Sequence, residues 1–244
     1  MLIEIAVFNL ESAITAAEAG AHRIELCSAP AEGGLTPSAA TLRLSRKYVK
    51  IPIHVMIRPR EGDFCYSNRE FESMVLDIAA AKMAGMEGVV AGILNPDGTV
   101  DEKRMAMLVD AAAPMNVTFH RAFDMVRDQD EALEAIIYAG CSRILTSGGQ
   151  QTAMLGIENL STLVQKAANR ISIMPGSGVN LTNIKQIAEQ TKASEMHLSA
   201  RTNTPGKMVY KYPLVRMCGS GITSDYDLML PDKKIVQEAI KLFK

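Results

Sequence analysis

Short apolar runs rich in Val and Ile recur along the chain, separated by longer segments whose apolar positions repeat with helical period. Eight such runs predict strands at Ile3–Phe8, Arg23–Cys27, Pro52–Arg58, Gly88–Leu94, Val117–Phe123, Arg143–Ser147, Ile171–Pro175 and Glu195–Ser199. Helical patterns between them cover Glu11–Ala19, a segment from Ser38, Arg69–Ala84, a segment from Asp101, Glu131–Ala139, Ala153–Ala168 and Leu181–Glu189. Three of these end in Ala-Gly, at Gly20, Gly85 and Gly140, where glycine takes the left-handed conformation that stops a helix. Strand–helix alternation of this kind predicts a parallel sheet closed into a single (β/α)8 TIM-type barrel over residues 1–244. No GxGxxG follows the first strand, which argues against an open dinucleotide-binding sheet. The last repeat is irregular: a stretch of about 30 residues rich in Gly, Met and Tyr separates Ala200 from a final helix at Lys233–Leu242, longer than an ordinary connection.

Composition narrows the function classes. With 48% hydrophobic and 22% charged residues, the chain is not a disordered one. Lys+Arg is 26 against 27 Asp+Glu, and aromatic residues are 5% with no Trp. Neither a basic field nor a stacking platform for nucleic acid is therefore expected. No apolar run approaches the roughly 20 residues that cross a bilayer, and Glu4 and Glu11 stand where a signal peptide carries positive and then apolar residues. Four scattered cysteines fit a reducing compartment. A cytoplasmic homo-oligomer with no membrane contact is the expectation.

Alternation also sorts the polar positions, because residues two apart on a strand face the same way. Glu4 shares a face with Ala6 and Phe8, Glu25 with Cys27, and His54 with Met56 and Arg58. Thr118 shares one with His120, Ala122 and Asp124, and His197 with Ser199 and Arg201. So many ionisable groups inside a sheet are costly unless they pair or line a wet cavity. Barrel active sites are built at C-terminal strand ends, so Glu25, Arg58, His120, Asp124 and His197 are the candidate catalytic residues. Glu25 would serve as base and His120 as a proton donor or relay near neutral pH. Arg58 would hold an anionic group or stabilise developing negative charge. A plug of paired charges that fixes packing without chemistry is the alternative. His22 follows a helix stop at the opposite end and reads as a surface residue.

Pro175-Gly176-Ser177-Gly178-Val179 follows the seventh strand, and Ser199 and Ala200 end the eighth. Loops at these places in barrels bind phosphate through backbone amides and a helix N-terminus. Gly176, Ser177, Gly178, Ser199 and Ala200 are therefore the candidate ligand-binding set, with Asn180 as cap of the next helix, and a small anionic or phosphorylated ligand is the expected partner. The spacing is similar to the phosphate sites of phosphoribosylanthranilate isomerase and related barrels. A tight turn that needs glycine sterically is the alternative. Metal spacing is poor, with no CxxC and no HxxxH. Copper as Cu(I) would want soft sulfur donors, and Cys27 at the end of the second strand and Cys65 in the loop after the third are the candidates. Cys141 reads as a core thiol, Cys218 lies in the C-terminal arm, and the 15 methionines read as core filler.

Several blocks resemble the CutC copper-homeostasis family. They are Gly20-Ala21-His22-Arg23-Ile24-Glu25-Leu26-Cys27, Glu32-Gly33-Gly34-Leu35-Thr36-Pro37-Ser38, Met56-Ile57-Arg58-Pro59-Arg60, Gly62-Asp63-Phe64, Val117-Thr118-Phe119-His120-Arg121-Ala122-Phe123-Asp124, Arg143-Ile144-Leu145-Thr146-Ser147-Gly148 and Met174-Pro175-Gly176. The matches run over about residues 1–201, and the C-terminal arm is looser. The resemblance implies a cytosolic barrel linked to copper handling. Some family members carry a cysteine on the first strand close to the one on the second, and that pair is the natural Cu(I) site. Here that position is Ala6, so the resemblance implies weak copper binding that depends on Cys27. Two functions stay open: copper handling, and a metal-independent isomerase- or lyase-type enzyme acting on a small phosphorylated metabolite.

Overall fold

The computed structural model describes residues 1–217 and 224–243. Eight strands, β1 (Leu2–Val7), β2 (Arg23–Leu26), β3 (Ile53–Met56), β4 (Gly88–Ala91), β5 (Asn116–Phe119), β6 (Arg143–Thr146), β7 (Ser172–Pro175) and β8 (Glu195–Leu198), form one sheet. Its spatial order is β7-β6-β5-β4-β3-β2-β1-β8, with parallel pairs throughout, and the ring closes where β7 and β8 meet. Helices α1 (Leu10–Glu18), α2 (Ala39–Tyr48), α3 (Asn68–Met83), α4 (Glu102–Ala112), α5 (Gln129–Tyr138), α6 (Ile157–Ala167), α7 (Ile184–Thr191) and α8 (Lys233–Lys241) alternate with the strands. The chain is a (β/α)8 barrel.

Local chemistry starts and stops these helices as the sequence implies. Ser67 and Glu70 form a reciprocal capping box at the start of α3, and Asn9, Ser38, Asp101, Asp128 and Asp232 each accept from a first-turn N–H of their helices. Helices α1, α3 and α5 end at Ala-Gly, with Gly20, Gly85 and Gly140 at positive φ. Helix α7 begins later than its periodicity predicts. Asn180 caps a preceding turn by accepting from Thr182 N–H, and Asn183 is the N-cap residue.

Side-chain alternation builds two layers. Ile3, Ile5, Ile24, Leu26, Ile53, Val55, Val89, Val117, Phe119 and Ile144 are buried in the main core cluster, outside the strands and under the helices. The opposite face turns polar groups into the barrel. At its N-terminal end they form a plug: Arg23 pairs with Glu4 and, at 2.5 Å, with Glu195. Arg143 contacts Glu195 at 2.6 and 2.9 Å and Thr118 at 3.1 Å, and Ser172 adds a bond to Glu195. The charged-plug reading thus holds for one end of the barrel, and the other end stays open.

Two further differences bear on the site. β5 stops at Phe119, and Arg121–Met125 forms a 3-10 turn because His120 caps it, Nδ1 accepting from Ala122 N–H at 3.2 Å. Asp124 therefore sits on that turn and not on a strand. The long arm after β8 contains an antiparallel hairpin of β9 (Arg201–Pro205) and β10 (Asp227–Pro231). The chain then returns at Asp232, whose N–H donates to Ala200 carbonyl, and enters α8. Cys218 lies outside the described residues.

Candidate functional site

A cavity of about 750 Å³ opens at the C-terminal end of the barrel. Glu25, Arg58, His120, Asp124 and His197, the five candidate catalytic residues, all line it. So do Ser177, Gly178 and Ser199 of the candidate ligand-binding set, together with Ala6, Phe8, Met56, Phe64 and Arg201.

His197 is the hinge of the cavity floor. Its Nδ1 lies 2.8 Å from Glu4 Oε1, and its Nε2 lies 3.8 Å from Glu25 Oε2. Burial alone would discourage its charge, but the Glu25 and Glu4 carboxylates outweigh that and raise its pKa. Burial would likewise raise Glu4, yet the bond from His197 and the Arg23 guanidinium hold it well below the usual carboxylate range. Glu25 goes the other way: burial pushes its pKa up, and its Oε1 has no hydrogen-bond partner. Ligand atoms of Glu4, Glu25 and His197 lie within 4.8 Å of one another, close enough to share a metal ion.

His120 stands on the other side. Its ring centroid is 4.9 Å from that of Phe64, and it is buried. Burial, with the Arg58 charge nearby, lowers its pKa to about 3, so the ring is neutral at pH 7. Because Nδ1 accepts from Ala122, the proton resides on Nε2, which has no partner. Arg58 donates to the carbonyls of Glu32 at 2.6 Å, Gly34 at 3.2 Å and Gly62 at 3.0 Å, and lies 5.1 Å over the Phe64 ring. Arg201 is its counterpart from β9, 4.8 Å over Phe8. Its strand phase with His197 and Ser199 was the signal available in the sequence.

Asp124 reaches the cavity rim but is saturated by the loop after β6. It accepts from Thr146 Oγ1 at 2.5 Å, Ser147 N–H at 3.1 Å, Gly149 N–H at 3.0 Å and Arg121 Nε at 2.8 Å. Those bonds make it a latch holding that loop, and leave it poorly placed for proton transfer.

The glycine loop is less open than its sequence implies. Gly176 N–H donates to Thr146 carbonyl at 2.9 Å, so the expected cradle lacks that amide. A Cβ at Gly176 would meet Leu145 Cδ1 at 2.5 Å, which is the steric reason for glycine there. Ala200 is buried at φ 48° and does not line the cavity. Ser177 Oγ donates to Gln151 carbonyl at 2.8 Å.

The candidate sulfurs sit in separate surroundings. Cys27 is buried against Met56, Val90 and Phe8, with its Sγ 3.5 Å from Glu25 Oε2. Burial and then the Glu25 carboxylate push its thiol pKa well up. Cys65 is half-exposed and is not among the residues that line the cavity, and burial followed by the Asp63 charge raises its thiol pKa. Cys27 and Cys65 are both free thiols. Cys141 is a core thiol, its pKa raised by burial to about 12.

The CutC family profile matches residues 1–202. The chain belongs to the CutC family. A CutC family protein from Mesorhizobium japonicum is 46% identical over 243 residues, covering 100% of this chain and 94% of that protein. The Homo sapiens protein named copper homeostasis protein cutC homolog is 44% identical over 231 residues, covering 95% of this chain and 85% of its own length. A crystal structure of CutC from Streptococcus agalactiae superposes with a TM-score of 0.77 at 32% identity, covering 81% of this chain and 97% of that one. In this CutC chain Ala6 pairs with Glu25 in the β1–β2 ladder, so the position where the resemblance implies a second thiol faces the cavity with a methyl group. No helix among the described residues is long and apolar enough to cross a membrane.

Proposed function

We propose that this CutC chain acts in copper homeostasis in the cytoplasm, with Cys27 as the sulfur donor of a weak Cu(I) site beneath the cavity. The observation that carries this reading is the 44% identity, across 95% of the chain, to the human protein named for copper homeostasis.

The donor set fits Cu(I) in part. Soft thiolate and thioether sulfurs suit Cu(I), and Met56 packs beside Cys27 in one buried cluster. A thiol ligates as the thiolate, and burial holds Cys27 protonated, so metal binding must displace a proton from a disfavoured site. That keeps affinity low and favours transient handling over storage. The phosphorylated-metabolite reading draws less support, because the Gly176 amide is already committed.

The test is copper tolerance in cells lacking this chain. Loss of tolerance, restored by the wild-type chain and not by Cys27→Ser, supports the reading. Unchanged tolerance, or full rescue by Cys27→Ser at equal protein level, overturns it.

A further inference from the structure

Nearly every buried charge in the barrel has an opposite charge in contact. Arg23 and Arg143 have Glu4 and Glu195, His197 has Glu4 and Glu25, and at the rim Arg121 has Asp124. Arg58 and Arg201 do not. Among the described residues neither has a carboxylate within ion-pair distance, and Glu32 meets Arg58 only through its backbone carbonyl. Arg58 is 8% exposed, and both Arg58 Nε and Arg201 Nε are buried without a partner. Desolvated cations without a counter-charge are costly, and both line the same cavity.

We infer that Arg58 and Arg201 form a binding site for a small organic anion with two carboxylates and a hydroxyl or carbonyl group between them. A guanidinium presents N–H groups in a fixed fork that matches a carboxylate. Each guanidinium lies over an aromatic ring, Arg58 over Phe64 and Arg201 over Phe8. Arg58 projects from the end of β3 and Arg201 from β9, just beyond β8, and β2 and β1 lie between β3 and β8 in the sheet. The two cations therefore stand apart around the mouth, a placement suited to a ligand acidic at both ends. His120 Nε2–H is an unmatched donor and Glu25 Oε1 an unmatched oxygen on the same cavity. Together they fit a hydroxyl or carbonyl on the ligand. The cavity volume of about 750 Å³ lies within the roughly 300–1,000 Å³ of small-molecule sites. This site does not use the loop after β7, and it does not depend on copper.

Calorimetric titration of the full, metal-free chain with malate, citrate, ribose 5-phosphate and neutral butanediol tests it. The expected result is binding of malate or citrate, none of butanediol, and at least a tenfold loss of affinity in Arg201→Met. Arg58 variants are a poorer choice, because Arg58 also ties three loop carbonyls and its removal threatens folding. The Arg201 side chain makes no hydrogen bond among the described residues, so Arg201→Met is expected to leave the barrel intact. His120→Gln should weaken the same ligand to a smaller degree. Absence of dicarboxylate binding in the wild type, or binding unchanged by Arg201→Met, overturns the inference. Ribose 5-phosphate bound more tightly than malate or citrate and indifferent to Arg201→Met would overturn it in favour of the loop after β7.

Discussion

Gly92 and His120 are fitted to each other. A Cβ built on Gly92 would lie 2.6 Å from His120 Nδ1 and 2.7 Å from its Cε1. The ring occupies the space a side chain would need, and Phe119 Cζ would lie 3.2 Å from the same Cβ, so the added methyl is crowded from two rings. Overpacking of this kind costs about 1–3 kcal/mol. Gly92→Ala should lose that much stability in urea denaturation and shift the His120 ring resonances. A loss under about 0.5 kcal/mol, the usual scatter of neutral surface changes, would mean the ring moves freely.

The neutral state of His120 gives a pH signature. Its folded pKa is lowered to about 3 by burial and then by Arg58, against about 6.5 for an unperturbed imidazole. Between these values the unfolded chain binds a proton that the folded chain does not. Stability contributed by His120 is therefore complete above about pH 6.5 and is lost as pH falls toward 3, by about 1.4 kcal/mol per unit. Wild type and His120→Gln should differ by one proton in the slope of stability against pH over that window. Parallel curves would show that the buried imidazole titrates normally.

Much of this architecture is legible in the sequence because strand period and helix stops are local. Glu25 with Cys27, His54 with Met56 and Arg58, and His197 with Ser199 follow from a period of two, and the Ala-Gly stops at Gly20, Gly85 and Gly140 follow from backbone geometry. One long-range backbone bond and one local side-chain cap hid the rest. Nothing in Pro175–Val179 shows that the Gly176 amide meets Thr146, 30 residues away in a neighbouring strand, and nothing in Phe119–Asp124 shows that His120 turns its ring nitrogen back to end the strand. Arg201 was in phase with the site, yet its unpaired charge is visible only once every carboxylate has been placed.

Asp124 is predicted to be a positioning residue for the loop after β6. Hydrogen bonds to a charged group contribute about 1.5–3 kcal/mol, and Asp124→Ala removes several at once. The expected loss is about 2–3 kcal/mol, with faster amide exchange at Ser147 and Gly149. Unchanged exchange at these two amides would contradict the latch.

Glu195 carries the plug. It joins Arg23 to Arg143, and its pKa is lowered: burial opposes its charge, but bonding to Arg143 and the charges of Arg143 and Arg23 outweigh that. Removing one partner of a buried ion pair costs about 3–5 kcal/mol, so Glu195→Ala should lower stability by that order. The exposed pair Arg170–Glu134 makes the control, since Glu134→Ala should leave the unfolding midpoint unchanged. Equal effects at the two sites would contradict a structural plug.

The copper reading is tested most directly by competition for Cu(I) against a chromophoric chelator, using purified wild-type chain, Cys27→Ser, Cys65→Ser and Met56→Leu under reducing, anaerobic conditions. Weak binding is predicted for the wild type, abolished by Cys27→Ser, weakened by Met56→Leu and unchanged by Cys65→Ser. Tight stoichiometric binding that survives Cys27→Ser, or no competition by the wild-type chain at any accessible concentration, would contradict the account.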